Sequence, residues 1–257
     1  GYAEIKGNEM SKVYCTAIVL AAGSGKRMGT AVHKQYLLIG GKPVLYYPLK
    51  AFQDCELIDE IVLVTGKGEE EYCREEIVEH YGISKVTAIV TGGAERYHSV
   101  WRGLQKIKEG YVYIHDGARP FVNEEIIQRG YECVRVEHAC AAGMPSKDTV
   151  KIVDEKCFVQ ETPDRSSVWM IQTPQIFDVS LVKKAYSMLM AQEDGTSDVG
   201  GADSARRIPV TDDAMVVELM LKRPVRLFYG AYENIKITTP EDLEIAEVFL
   251  KRTGKTL

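Results

Sequence analysis

The sequence predicts an α/β fold, with a mostly parallel sheet covered on both faces by helices. Three observations lead there. Short apolar, β-branched runs alternate with longer amphipathic ones along most of the chain. A turn rich in glycine and cations follows directly on the first of those runs. The 257 residues are 45% hydrophobic, enough to bury one sizeable core.

Buried strands are expected at Cys15–Ala21, Glu60–Thr65, Val86–Val90, Tyr111–His115 and Ala139–Met144. Between them lie expected helices near Pro43–Phe52, Glu69–His80, Ala94–Lys108 and Asn123–Glu137. Asn123 with Glu125 and Ile126 reads as a helix start, because acids in a first turn suit the helix dipole. Strands separated by helices imply βαβ units, whose right-handed crossovers put all strand C-termini on one edge, where ligands bind. After Pro145 the rhythm breaks. Lys147–Val153 and Cys157–Glu161, joined by Asp154-Glu155-Lys156, predict a hairpin that projects as an arm over about 145–167 or lies along a sheet edge. A helix over Ser180–Ala191 is followed by a polar, glycine-rich loop at Glu193–Arg207. Late strands are expected at Val225–Gly230 and Ile235–Thr238, and a last helix at Pro240–Lys251 with proline in its first turn.

A net charge of -5 argues against a nucleic-acid binder, and no run approaches the ~18 apolar residues of a membrane span. Residues 1–12 lack a signal-peptide core and are set aside as an added remnant or flexible N-terminus, with Met10 the expected native start. The single domain is expected over 13–257. Six cysteines without a CxxC pair fit reduced thiols, Cys15 and Cys140 in the core, and a cytoplasmic protein. The charge is unevenly spread. From Met10 to Gln53 there is no acid, while Lys12, Lys26, Arg27, Lys34, Lys42 and Lys50 fall in that stretch. A positive region in an acidic protein points to a small anionic ligand.

The turn after the first strand, Gly23-Ser-Gly25-Lys26-Arg27-Met-Gly29, can aim consecutive N–H groups at phosphate oxygens. It lacks the Gly-Lys-Ser/Thr of a Walker loop. It also lacks the third glycine and the ribose-binding acid of a dinucleotide fold. Arg27 supplies a planar fork and Lys34 a mobile point charge. Asp116 ends an apolar strand on the expected ligand edge, either as a turn-forming Asp-Gly or as a residue that binds Mg²⁺ directly or through water. His115 is expected to pack or hydrogen-bond. No nucleophile–base constellation stands out, so covalent catalysis is not favoured.

Nine segments in order resemble the cytidylyltransferase family of the methylerythritol phosphate pathway, over about Thr16 to Arg252. They are Ala21-Ala-Gly-Ser-Gly-Lys-Arg-Met, Lys34-Gln-Tyr36, Gly92-Gly-Ala-Glu-Arg96 with Ser99-Val100, and His115-Asp-Gly-Ala-Arg-Pro120. Lys147-Asp-Thr149, Thr162-Pro-Asp-Arg165, Gln172-Thr-Pro-Gln175, Thr211-Asp-Asp-Ala214 and Asn234-Ile-Lys-Ile-Thr238 complete the set.

The resemblance implies a Rossmann-like nucleotidyltransferase fold and a homodimer clasped through the hairpin arm. It implies transfer of CMP from CTP, with Mg²⁺ or another divalent cation, to 2-C-methyl-D-erythritol 4-phosphate. By that resemblance Arg27, Lys34 and Lys236 surround the triphosphate. Ala21, Ala22, Gly23, Gly25 and Lys26, with Gly93 and Ser99, hold the nucleotide. Asp116, Thr149, Arg165, Thr173 and Thr211 meet the acceptor, with Thr149 and Arg165 reaching over from a neighbouring subunit's arm. His33, in place of the family's usual proline, and a long 193–207 loop depart from the pattern. A ribitol 5-phosphate cytidylyltransferase is the nearest alternative, with a non-catalytic nucleotide-binding protein as one of another class. Thr211-Asp-Asp-Ala and Pro240-Glu-Asp-Leu favour methylerythritol.

Overall fold

The computed structural model describes residues 11–23, 33–195 and 209–254. Its centre is a sheet built on β1 (Cys15–Ala21), β4 (Glu60–Thr65), β5 (Val86–Thr91), β6 (Tyr111–Asp116), β7 (Ala139–Pro145), β10 (Trp169–Asp178) and β11 (Arg226–Tyr229). The strand order is β11-β7-β10-β6-β1-β4-β5. Every neighbouring pair is parallel except the two made by β10, which runs against both β6 and β7. The chain thus builds outward from β1 through β4 to β5, then returns to lay β6 on the other side of β1. That reversal opens a crevice beyond the C-terminal ends of β1 and β6.

Period-2 alternation divides the strand side chains between two cores. Ala17, Val19, Leu63 and Tyr113 face one, against Leu49 and Phe52 of α1 (Tyr46–Asp54) and Ile126 and Tyr131 of α4 (Glu124–Glu137). Ile18, Val62, Val64 and Ile114 face the other. There they meet α3 (Arg96–Leu104), α5 (Val179–Glu193) and α6 (Asp213–Leu221). Asn123 caps α4 as predicted, its Oδ1 accepting the Ile126 N–H at 2.9 Å. A third cluster joins the small hairpin β2 (Leu38–Ile39) and β3 (Lys42–Pro43) to α7 (Pro240–Arg252) through Ile39, Val44, Ala246 and Leu250. The last strands, β8 (Ile152–Val153) and β9 (Val159–Glu161), form an exposed two-stranded hairpin, paired to each other and to no strand of the large sheet.

Several expectations are corrected. Trp169–Asp178, not among the expected strands, lies in the centre of the sheet although it carries Pro174. The sheet accommodates it by a register shift against β7 between Ile171 and Gln175. Because β10 is antiparallel, it brings its N-terminal half to the ligand edge, so not all strands end there. Ile235–Thr238 is not a strand; it crosses the strand ends, tied by the Ile237 N–H to the Ala118 carbonyl at 2.8 Å. The helix predicted over Glu69–His80 begins as α2 (Glu70–Tyr72) and widens into a π-helical stretch at Cys73–Glu79. Residues 213–221 are apolar nearly all round, so their period gave no helical signal, yet they form α6. Glu193 closes α5, and most of the predicted 193–207 loop lies outside the described residues.

Candidate active site

Two chambers open in the crevice at the ends of β1 and β6. The first, about 370 Å³, is lined by Ala22 and Gly23 after β1, Lys34 and Gln35, Gly93 to Arg96, Ser99, Asp116 and Lys236. The second, about 300 Å³, is lined by Arg96, Asp116, Arg119, Thr173, Thr211 and Lys236, among others. Arg96, Asp116 and Lys236 belong to both and form the wall between them.

The first chamber is shaped by close backbone approach. Gly92 lies where a Cβ would come within 2.4 Å of the Ala22 Cβ and 2.6 Å of the Ser99 Oγ, and a Cβ on Gly93 would meet His98 at 2.3 Å. The Gly93 N–H donates to the Ser99 Oγ at 3.1 Å, which fixes the first turn of α3 against this wall. Gln35 holds the entry to the glycine turn. Its Nε2 donates to the carbonyls of Ala21 at 2.6 Å and Gly23 at 2.9 Å. Glu69 accepts from the Tyr36 hydroxyl at 2.8 Å and pairs with the His33 Nδ1, so the residue in the proline position is fastened to the start of α2.

Asp116 ends β6 with 8% of its surface exposed. Its Oδ1 accepts from the Arg96 Nε at 3.2 Å, and its Oδ2 lies 3.5 Å from both the Arg119 Nε and the Lys236 Nζ. Burial by itself would push this carboxyl's pKa up. The surrounding Arg96, Lys236 and Arg119 outweigh that and hold it well below the usual carboxylate range. Behind it, the His115 Nε2–H donates to the Arg119 carbonyl at 3.0 Å. Its Nδ1 therefore accepts the Thr173 hydroxyl at 2.9 Å, and that hydroxyl's oxygen accepts the Asp116 N–H at 3.0 Å. Desolvation lowers the His115 pKa to about 4, so the ring is neutral, and it serves hydrogen bonding as expected.

Lys236 reaches this wall because its segment is tethered on both sides. The Asn234 Nδ2 donates to the Thr173 carbonyl at 2.8 Å and to the Gln172 Oε1 at 3.0 Å, while the Arg119 Nη1 donates to the Asn234 carbonyl at 2.8 Å.

The structure therefore brings together Ala22, Gly23, Lys34, Gly93, Ser99, Asp116, Thr173, Thr211 and Lys236 from the predicted set. Gly25, Lys26 and Arg27 lie outside the described residues. Ala21 is buried at the end of β1 and lines neither chamber; its carbonyl serves Gln35. The Thr173 hydroxyl is committed to His115 and Asp116, so it braces the wall. Thr149 and Arg165 are exposed residues beyond β7 and on the arm, and they line neither chamber. Sequence reasoning assigned no role to Arg96, Arg119 or Gln35; their place inside quoted motifs was the one signal, and their convergence on the site appears only in the folded chain.

The donor set does not fit a metal bound directly by the protein. Asp116 is one carboxylate facing three cations, and among the described residues no group of three His, Cys, Asp or Glu could hold an ion. The expectation of a direct Asp116–metal bond is not supported by these surroundings.

A sheet reversed at β1 and β6, with Ala22 and Gly23 after β1 on one side and a cation-ringed carboxylate on the other, fits a nucleotidyltransferase-type α/β enzyme. Residues 15–252 match the family described as IspD: 2-C-methyl-D-erythritol 4-phosphate cytidylyltransferase. Among curated relatives, the protein of that name from Lachnospira eligens is 52% identical over 92% of this chain and 99% of its own length. That from Lachnoclostridium phytofermentans is 48% identical over 94% of this chain and 97% of its own. Of solved structures, 4-diphosphocytidyl-2C-methyl-D-erythritol synthase from Anaerococcus prevotii superposes with a TM-score of 0.76 at 34% identity, covering 94% of this chain and all of that one. The chain belongs to the 2-C-methyl-D-erythritol 4-phosphate cytidylyltransferase family.

Proposed function

We propose that this enzyme transfers CMP from CTP to 2-C-methyl-D-erythritol 4-phosphate, releasing pyrophosphate and forming the CDP-alcohol, a step of isoprenoid precursor synthesis. The observation that carries this reading is the pair of chambers sharing Arg96, Asp116 and Lys236. Two substrates would meet across that wall. The nucleotide occupies the first chamber, against Ala22, Gly23, Gly93 and Ser99, and the resemblance of the sequence assigns Gly25, Lys26 and Arg27 to it as well. The acceptor occupies the second, its hydroxyls on Asp116 and near Thr211.

The acceptor's phosphate oxygen is already a nucleophile, so no general base is required. The obstacle is repulsion between a phosphate dianion and a triphosphate. Lys34, Lys236 and Arg27 would reduce it and stabilise charge on the α-phosphate and leaving pyrophosphate during an in-line displacement. A divalent cation would come with CTP on the nucleotide's own phosphate oxygens and supply further charge neutralisation there.

The protein is read as one domain over 13–257, with residues 1–12 outside it. The arm of about 145–167 would pair two subunits, so that the partner subunit's Thr149 and the partner subunit's Arg165 close the second chamber. Exposed Ile152, Val153, Phe158 and Val159 support that role, since an unpaired apolar hairpin gains by being covered. A cytoplasmic location is consistent with six free cysteines. No described helix is long and apolar enough to cross a membrane. The deciding experiment measures pyrophosphate release with CTP, ATP, GTP and UTP against methylerythritol 4-phosphate and ribitol 5-phosphate. Release only with CTP and the methylerythritol ester is expected; equal or greater release with ribitol 5-phosphate would overturn the acceptor assignment.

A further inference from the structure

Arg96 divides its donors between two carboxylates. Its Nη1 and Nη2 donate in a fork to Oδ1 and Oδ2 of Asp213, both at 3.0 Å, while the single contact to Asp116 is from the Nε–H, at 3.2 Å. Asp213 has no exposed surface, and it lines neither chamber. The Tyr186 hydroxyl of α5, equally buried, donates to the Asp213 Oδ1 at 2.5 Å. The first turn of α6 is fastened to β10 as well. The Gln175 Oε1 accepts the Ala214 N–H at 2.8 Å, and its Nε2 donates to the Asp212 Oδ2 at 3.0 Å. Asp213 is therefore fixed before any ligand arrives.

An α5–α6 contact made only for packing has no need of a charged group. The two helices already meet through Val182, Tyr186, Val216 and Val217, and burying a carboxylate among them is costly unless it is fully paired. The nearest use for the charge is Arg96. A guanidinium prefers to grip a carboxylate with two parallel N–H bonds. Unopposed, the Arg96 fork would turn onto Asp116 and occupy both of its oxygens.

We propose that Asp213, braced by Tyr186, is a positioning residue for the transfer reaction: it occupies the fork of Arg96 so that Asp116 stays open to the acceptor's hydroxyls. This rests on the function proposed above. Asp116 keeps its charge but is held by long contacts, the two at Oδ2 being 3.5 Å each, which an incoming hydroxyl can replace.

The test is Asp213→Asn, which preserves shape and removes the charge that anchors the fork. The KM for the polyol phosphate is expected to rise about tenfold or more, with the KM for CTP changing less than about threefold. Tyr186→Phe, which removes one hydroxyl and suits a fold that cannot tolerate the first change, is expected to shift the polyol KM the same way by a smaller factor. A merely structural contact would lower the unfolding temperature and alter both KM values alike or neither, and either outcome overturns the proposal. A crystal structure of Asp213→Asn is expected to show the Arg96 fork on Asp116. Should the wild-type enzyme transfer to no polyol phosphate, the functional reading falls, and this crystal structure decides the positioning role by itself. Arg96 unmoved there refutes it.

Discussion

A buried carboxylate among three cations and a neutral histidine behind it give the wall between the chambers a defined charge. Asp116 is depressed below the unfolded carboxylate value of 3.8, so the stability it contributes is present above that pH and is lost as pH falls below it. His115 acts in a higher window. Its pKa is about 4 in the folded protein against 6.5 for the free side chain, so between these values only the unfolded chain takes up the proton. Folding stability should therefore fall by on the order of 3 kcal/mol as pH drops from about 6.5 to 4. Urea titrations at stepped pH should show that slope in the wild type and a flatter one in His115→Gln; parallel slopes would remove His115 as the source. At this scale the sequence was only partly readable. Asp116 stood out as an acid at the end of an apolar strand, and Lys236 only through the resemblance to the family. The work of Arg96 was hidden because its partners, Asp116 and Asp213, lie 20 and 117 positions away in the chain.

The elements owe their positions to packing at the sheet's C-terminal edge. The first turn of α3 can approach β1 only because Gly92 carries no side chain. Gly92→Ala would place a methyl within 2.4 Å of the Ala22 Cβ, an atom that cannot rotate away, and within 2.6 Å of the Ser99 Oγ. Overpacking of this kind costs about 1–3 kcal/mol, and here the strain falls on the nucleotide chamber. The KM for CTP should rise by about tenfold or more with little change in the polyol KM; calorimetry with CTP alone checks it, and undiminished CTP affinity would contradict this account of the chamber. Strands β1, β4, β6 and β7 were legible because two-sided burial produces continuous apolar runs. β10 and α6 were not, one masked by an internal proline and the other by the absence of a polar face.

For the whole molecule, the reversal between β1 and β6 opens the crevice, and β10 then inserts antiparallel to deliver Thr173 beside Asp116. The arm stands apart from both chambers, so its Arg165 would complete a site only across a dimer. On the proposed dimer, mixing an inactive Arg165→Ala subunit with an inactive Lys236→Ala subunit should restore activity, since one of the two sites in each heterodimer would then be intact. Heterodimers verified by mass and still inactive would show that the arm does not contribute to catalysis in trans.

The sequence by itself determined the α/β class and the identity of the family, because these depend on local periodicity and on residue types at fixed spacing. Tertiary structure alone decided that β10 runs antiparallel, that Ile235–Thr238 is a tether and not a strand, and that Arg96 is shared between Asp116 and Asp213. Those outcomes follow from contacts between distant segments. Their energies come from burial and from the pairing of buried charges, which are settled only when the chain has closed around them.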